Sequence, residues 1–263
     1  MGLTLELALF MGVLQGLTEF LPISSSGHLA LFGAWFGLSE PDITFDVLVH
    51  MGTLAAIVIY FRKDLWQIVK LLLRGDSGDM PRRIVWYLIA ATVPAGLVGV
   101  FLKDYIEVVH HHPQWVGVLL IANAGILFYG LRHCHNSEPF WEMTWKQVLI
   151  IGCAQAFAIL PGISRSGITI IVGLSLGMDK MAAARFSFLM AIPAIGGAGV
   201  LTGLKLLDNA PDPSLWLAYS GGLITSVISG FIALVFLVRL LEGKRFFHFG
   251  YYCLPLGLLA IIF

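Results

Sequence analysis

Polar and charged positions are sparse along this chain, and the apolar runs between them define its elements. Runs approaching spanning length occupy about 44–61, 84–101, 115–133, 185–207, 215–238 and 248–263. At about 1.5 Å of rise per residue, roughly 20 apolar residues cross a hydrocarbon core about 30 Å thick. These six runs predict six membrane-spanning helices. Two other apolar regions are interrupted. Residues 3–21 and 27–38 are separated by Pro-Ile-Ser-Ser-Ser, and 146–160 and 166–177 by Pro-Gly-Ile-Ser-Arg. Proline ends a helix, and the second arm of each pair has only about a dozen residues. Each pair therefore reads as a re-entrant helical hairpin, with two ordinary spans and a loop as the plainer alternative. Irregular backbone at membrane depth is tolerated where protein or water covers it.

Composition agrees. Of 263 residues, 58% are hydrophobic and 12% charged, against about 25% charged in soluble domains. Mean hydropathy is +0.86. The expected fold class is an all-α polytopic membrane protein with inverted-topology repeats. A net charge of zero gives no reason to expect nucleic acid or a polybasic membrane tether. Cys134, Cys153 and Cys253 are scattered and form no disulfide or metal framework. The first twenty residues lack Lys and Arg and contain Glu6 and Glu19, unlike a cleavable signal. Trp35, Trp86, Trp115, Trp141 and Trp145 sit near segment ends, as interfacial anchors do.

Basic residues predict the orientation. Arg62, Lys63, Lys70, Arg74, Arg82, Arg83, Arg132, Lys146, Lys180, Arg185, Arg239, Lys244 and Arg245 fall on one side if both hairpins return to the side they entered. The other side has Lys103 and, near a span end, Lys205. The positive-inside rule makes the first side cytoplasmic and puts both termini outside. Three spans separate the hairpins, so one enters from each side. The expected organisation is one domain of two inverted halves, about 1–133 and 146–263.

The chain also repeats its most polar stretch. Residues 15–28 read QGLTEFLPISSSGH and residues 155–168 read QAFAILPGISRSGI, 140 positions apart. Gln15, Ile23, Ser24, Ser26 and Gly27 match Gln155, Ile163, Ser164, Ser166 and Gly167. Glu19, Ser25 and His28 face Ile159, Arg165 and Ile168. Phe45 and Leu48 match Phe186 and Leu189 with one residue inserted. Such a repeat points to one buried site built from two halves.

Gln15 and Glu19 share a helix face. A carboxylate at membrane depth is costly, about 2.5–3.5 kcal/mol on insertion scales, and persists where it meets a cation, metal or water. One serine of Ser24–Ser26 is needed to cap the next helix; three, followed by Gly27 and His28, exceed that need. His28 is the expected acid/base group, with a packed core histidine as the bland alternative. In the second copy, Arg165 at a helix N-terminus suits phosphate, or merely an ion pair with Glu19. Thr169 is expected to line the same pocket. Glu19, Ser25, His28 and Arg165 form the candidate catalytic set. Gln15, Ser24, Ser26, Gly27, Ser164, Ser166, Gly167 and Thr169 form the candidate substrate-binding set. The constellation suits phosphoryl transfer, with Mg²⁺ or Ca²⁺ rather than zinc. Asp46 and His50, one turn apart, are candidates for a supporting layer. His110–His112 read as a solvated outer loop.

These residues resemble a known family. QGLTEFLPISSSGH is similar to the (E/Q)xxxE motif and serine-glycine-histidine turn of bacterial undecaprenyl-diphosphatases of the bacitracin-resistance type. LPGISRSGIT resembles that family's PGxSRSGxT motif at every specified position. The likeness extends over the chain in length, motif spacing and segment order. It implies hydrolysis of undecaprenyl diphosphate to undecaprenyl phosphate and phosphate, lipid-carrier recycling for cell-wall synthesis, and bacitracin resistance. It also implies a divalent cation near Glu19, a site opening to the periplasmic side of the inner membrane, and a homodimer. Gln15 stands where a glutamate is common, which weakens it as a metal ligand. Ser25 as nucleophile with His28 moving the proton, and direct attack by water with His28 as base, both remain open. A lipid-phosphate transporter, which also uses inverted repeats and broken helices, is the alternative reading. The type-2 phosphatidic acid phosphatase pattern fails, because Ile171 stands where its second histidine belongs.

Overall fold

The structure, a computed structural model, describes residues 3–37, 42–74, 79–133, 143–208, 211–242 and 245–262. Cys134, Trp141 and Lys244 lie outside them. The described chain is helical: α1 Leu5–Phe20, α2 Ser25–Trp35, α3 Ile43–Tyr60, α4 Arg62–Arg74, α5 Asp79–Phe101, α6 Lys103–His110, α7 Pro113–His133, α8 Trp145–Phe157, α9 Arg165–Ser175, α10 Lys180–Asp208, α11 Trp216–Glu242 and α12 Gly250–Ile262. Six of these regions are long and apolar enough to cross a membrane: Ile43–Tyr60, Arg82–Phe101, Pro113–Gly130, Lys180–Leu204, Pro213–Leu241 and Arg245–Ile262. They coincide with the six expected runs. The chain is an all-α, multi-pass membrane protein.

The two broken regions form the short pairs α1/α2 and α8/α9. Thr4 caps α1, its hydroxyl accepting from Leu7 N at 3.3 Å. Thr144 caps α8 in a reciprocal box with Gln147. These caps are also 140 positions apart, so the repeat begins before its conspicuous motif.

Packing exchanges the two halves of the chain. α1 lies along α11, and α8 along α5; α3 meets α11 and α10 meets α5; α7 packs on α12 and α3 on α10. Small residues make these approaches close, as helix association in lipid requires. A Cβ on Gly16 would fall 2.6 Å from Gly230 N. Gly117 and Gly257 face one another, each Cβ position 2.6 Å from the other's carbonyl oxygen. The largest buried cluster surrounds the tip of the first pair, with Phe20 against Phe188 edge to face at 5.8 Å. Leu97, Val100, Ile224, Ile228 and Ile232 stay exposed, as lipid-facing positions should.

Two short amphipathic helices were not anticipated. The basic segment after α3 is helical as α4, and its Asp64 lies 3.5 Å from Arg185 on α10. The segment expected to be an outer loop forms α6, with His110 inside its last turn and His111 as its C-cap. The apolar patterning used for spans is blind to such helices, because half of each surface is polar.

Candidate active site

The tips of α1/α2 and α8/α9 touch, and their serines hold them together. Ser24 caps α2, its hydroxyl accepting from Gly27 N at 3.2 Å; Ser164 caps α9, accepting from Gly167 N at 3.1 Å. Each tip then bonds the other. Gly162 N donates to Ser24 Oγ at 2.9 Å, and Ser166 Oγ donates to Phe20 O at 2.9 Å. Ser164 Oγ donates to Leu21 O at 3.4 Å. Ser24 is the one non-glycine residue among those described with positive φ, at +68°. Such backbone costs energy and persists where surroundings over-determine it; here its hydroxyl is fixed from both tips. Gly162, at φ +113°, leaves no room for a side chain, since a Cβ would sit 2.6 Å from Leu119 Cβ.

A residue outside the repeats joins the tips. Asn123, fully buried on α7, donates from Nδ2 to Pro22 O at 2.9 Å and accepts at Oδ1 from Ser164 N at 3.0 Å. Sequence reasoning missed it. The available signal was a lone asparagine in an apolar span, where such residues bond other segments.

A cavity of about 730 Å³ opens beside the tips. Glu19, Ser24, Ser25, Ser26, Ser164 and Arg165 line it. Glu19 is the hub. Its Oε1 accepts from Arg165 Nη2 in an ion pair. Its Oε2 accepts from Ser25 Oγ at 2.5 Å and from Gln15 Nε2 at 3.0 Å. The second guanidinium nitrogen, Arg165 Nη1, is buried without a partner, as is Gln15 Oε1. A hydroxyl donating to a carboxylate, beside a guanidinium with spare donor capacity, is equipped to deprotonate an oxygen nucleophile and hold an anion.

Several expected site residues stand off the cavity. His28 is turned from the cavity: Nδ1 donates to Ser24 O at 2.7 Å, and Nε2 accepts from Tyr252 OH at 2.9 Å, with the rings stacked. Both nitrogens are used, and the side chain is almost wholly buried. Thr169 donates to Arg165 O at 2.7 Å and pairs with Ser187 at 2.7 Å, filling helix contacts rather than lining the cavity. Ser166, Gly27 and Gly167 also stand off the cavity, consumed by the contact between tips. The imidazole that does face the hub is His50. Its Nδ1 donates to Asp46 O at 2.6 Å, which aims Nε2 at Glu19 Oε2, 3.7 Å away. Asp46, His50, Gln155, Lys103, Glu107 and His110 of α6, and its C-cap His111 all line the same cavity. His110 and His111 of the histidine run are therefore part of the cavity wall.

The donor set does not fit a resident divalent cation. Both Glu19 oxygens are engaged, and the spare oxygen at the hub is a neutral amide carbonyl. Among the described residues no three His, Cys, Asp or Glu side chains gather closely enough to hold an ion, whereas Mg²⁺ and Ca²⁺ take six or more oxygens.

Comparison with known proteins agrees with the motif likeness. The family model described as bacitracin resistance protein BacA matches residues 8–259. A protein of Methanosphaera stadtmanae named undecaprenyl-diphosphatase is 38% identical, over 97% of this chain and 96% of its own. Proteins with the same name from Desulforudis audaxviator and Aliivibrio salmonicida are 41% and 42% identical. These cover 96% and 95% of this chain, and 95% and 94% of their own lengths. The matched span runs from α1 to α12 and takes in both tips, the Glu19 hub and the cavity they enclose, so the chain belongs to the BacA family.

Proposed function

We propose that this chain hydrolyses undecaprenyl diphosphate to undecaprenyl phosphate and inorganic phosphate, returning the lipid carrier to cell-wall synthesis. The observation that carries the reading is Glu19, which accepts the Ser25 hydroxyl on one oxygen and pairs with Arg165 on the other, inside a cavity within a lipid-embedded fold. The name shared by the curated relatives supports the substrate.

In this reading Ser25 Oγ attacks the terminal phosphorus as Glu19 Oε2 takes its proton. The bond from that phosphorus to the bridging oxygen breaks, and undecaprenyl phosphate leaves. Arg165, with its unpartnered Nη1, neutralises the phosphoryl oxygens as charge builds on them. Once Glu19 has passed the Ser25 proton on through His50, water attacks the phosphoserine phosphorus and gives its proton to the freed carboxylate; the phosphorus–Oγ bond breaks, Ser25 Oγ takes that proton back from Glu19, and phosphate leaves. His50 lies beside the same carboxylate oxygen and is the imidazole placed to pass the proton on. A divalent cation, Mg²⁺ or Ca²⁺, would be held mainly by the diphosphate oxygens beside Glu19 and would supply charge neutralisation there.

The reading includes two inverted halves, about 1–133 and 146–263, supported by the exchanged packing of α1/α11 with α8/α5. It also includes a site that opens to the outer side of the bacterial inner membrane, with both termini on that side. The Asp64–Arg185 contact puts α4 and the start of α10 at one end. The cavity takes in the start of α3 and α6 at the other.

The test is phosphate release from undecaprenyl diphosphate by purified protein in detergent, with Mg²⁺, Ca²⁺ or chelator, beside Arg165→Ala. Detergent leaves no compartment to transport across. Release lost in the variant supports the hydrolase; no release by folded wild type overturns it.

A further inference from the structure

The cavity has a second charged wall, remote in sequence from both repeats. Lys103, Ile106, Glu107 and His110 of α6 all line it. Their spacing of three, one and three residues puts them on one helical stripe. His111 continues that wall at the C-cap. The other side of α6 faces away, with Tyr105 73% and Val108 56% exposed.

Charge makes this wall informative. The lining carboxylates are Glu19, Asp46 and Glu107; the lining side-chain cations are Arg165 and Lys103. Arg165 is already shared with Glu19. A diphosphate ester carries more than one negative charge and presents two separate phosphoryl groups. One of them sits with Arg165; the other needs its own donors in a space lined with carboxylates. Lys103 makes no ion pair among the described residues. Burial and the neighbouring His111 push His110 down from the ordinary imidazole value, against the opposing pull of Glu107, and its ring stands in the cavity wall as an N–H donor.

We propose that the inner stripe of α6 is a second phosphate subsite, in which the Lys103 ammonium, with ring N–H groups of His110 and His111, takes the phosphoryl group that Arg165 does not hold. The subsite rests on the diphosphate reading of the cavity. It makes the site read a diphosphate as two groups, one at the tips and one at α6.

Calorimetric titration of detergent-solubilised wild type, Lys103→Ala, Lys103→Arg and the His110→Phe/His111→Phe pair tests this with two anions, inorganic pyrophosphate and orthophosphate. Lys103→Ala is expected to weaken pyrophosphate about tenfold, as loss of one charge-assisted contact does. Orthophosphate, held at Arg165, should change less than about twofold, and Lys103→Arg should restore pyrophosphate. The histidine pair should weaken pyrophosphate by a few-fold. In turnover, Lys103→Ala should raise KM for the lipid diphosphate with kcat nearly unchanged. Unaltered pyrophosphate affinity in Lys103→Ala overturns the subsite. So does equal weakening of both anions, which would put Lys103 on the phosphate that Arg165 holds. Lys103-dependent pyrophosphate binding by a protein that releases no phosphate would overturn the hydrolase reading and leave the subsite standing.

Discussion

The tips at 20–28 and 160–168 share a sequence pattern and a hydrogen-bonding plan, and they differ at the middle of the triplet. In Ser24-Ser25-Ser26 and Ser164-Arg165-Ser166 the first serine caps its helix in the same way, with bonds of 3.2 and 3.1 Å. Outer serines also pair across each triplet, at 3.4 and 3.2 Å. The middle residues, Ser25 and Arg165, are free of that duty, and both reach Glu19. Repetition marks the scaffold here, and departure from repetition marks the residues that reach Glu19.

The sharpest way to break this comparison is at the middle positions. Ser25→Ala should lower phosphate release by about 10³-fold or more, and Arg165→Ala by about 10²–10³-fold, in single-turnover assays with undecaprenyl diphosphate. Near-normal turnover by Ser25→Ala would remove the covalent route and leave water as the nucleophile. Arg165→Lys should recover little, since an ammonium cannot hold a carboxylate and a phosphoryl group in one planar fork.

The histidines come next. His28 has Ile168 as its counterpart and is bonded to Tyr252, whereas His50 faces Glu19. His50→Asn should cut kcat by about 10²-fold. His28→Gln should leave kcat within about fivefold and lower the melting temperature instead. The reverse ranking would return the proton to His28 and would mean that the site rearranges on binding substrate.

Smallest in activity, and visible in stability, are changes to the scaffold. Asn123→Leu strands Ser164 N and leaves Pro22 O with the weak Cys253 thiol contact at 3.9 Å, and should cost about 1–3 kcal/mol, read as a lower denaturation midpoint in detergent. Ser166→Ala removes one bond to Phe20 O and should cost about 1 kcal/mol, with turnover reduced only a few-fold. A loss for Ser166→Ala as large as that for Ser25→Ala would erase the division between outer and middle serines.

Much of this molecule was legible in its residues because lipid imposes simple demands. A span must be long, apolar and helical, so the six runs match the six spanning helices closely. A break such as Pro22 or Pro161 with Gly162 must be covered, so the polar repeat marked where the two tips meet. Arg165 and Glu19 were readable for the same reason: charge at that depth has to find charge. Side-chain direction was not readable. His28 and His50 lie in similar apolar surroundings along the chain, and only the packing of α12 against one and α1 against the other separates them. Asn123 and the α6 stripe were hidden because their partners are more than 40 residues away or are defined only by a cavity.

The amino-acid sequence by itself determined the medium, the helical class, the family and the charged pair at the centre, since local hydrophobicity, helix breaking and isolated charge act residue by residue. The tertiary structure decided which serine reaches the carboxylate, which histidine faces it and which helix lines the far wall of the cavity. Each of those depends on how a side chain is aimed once distant helices have packed, and that direction is a property of the contacts rather than of the residue.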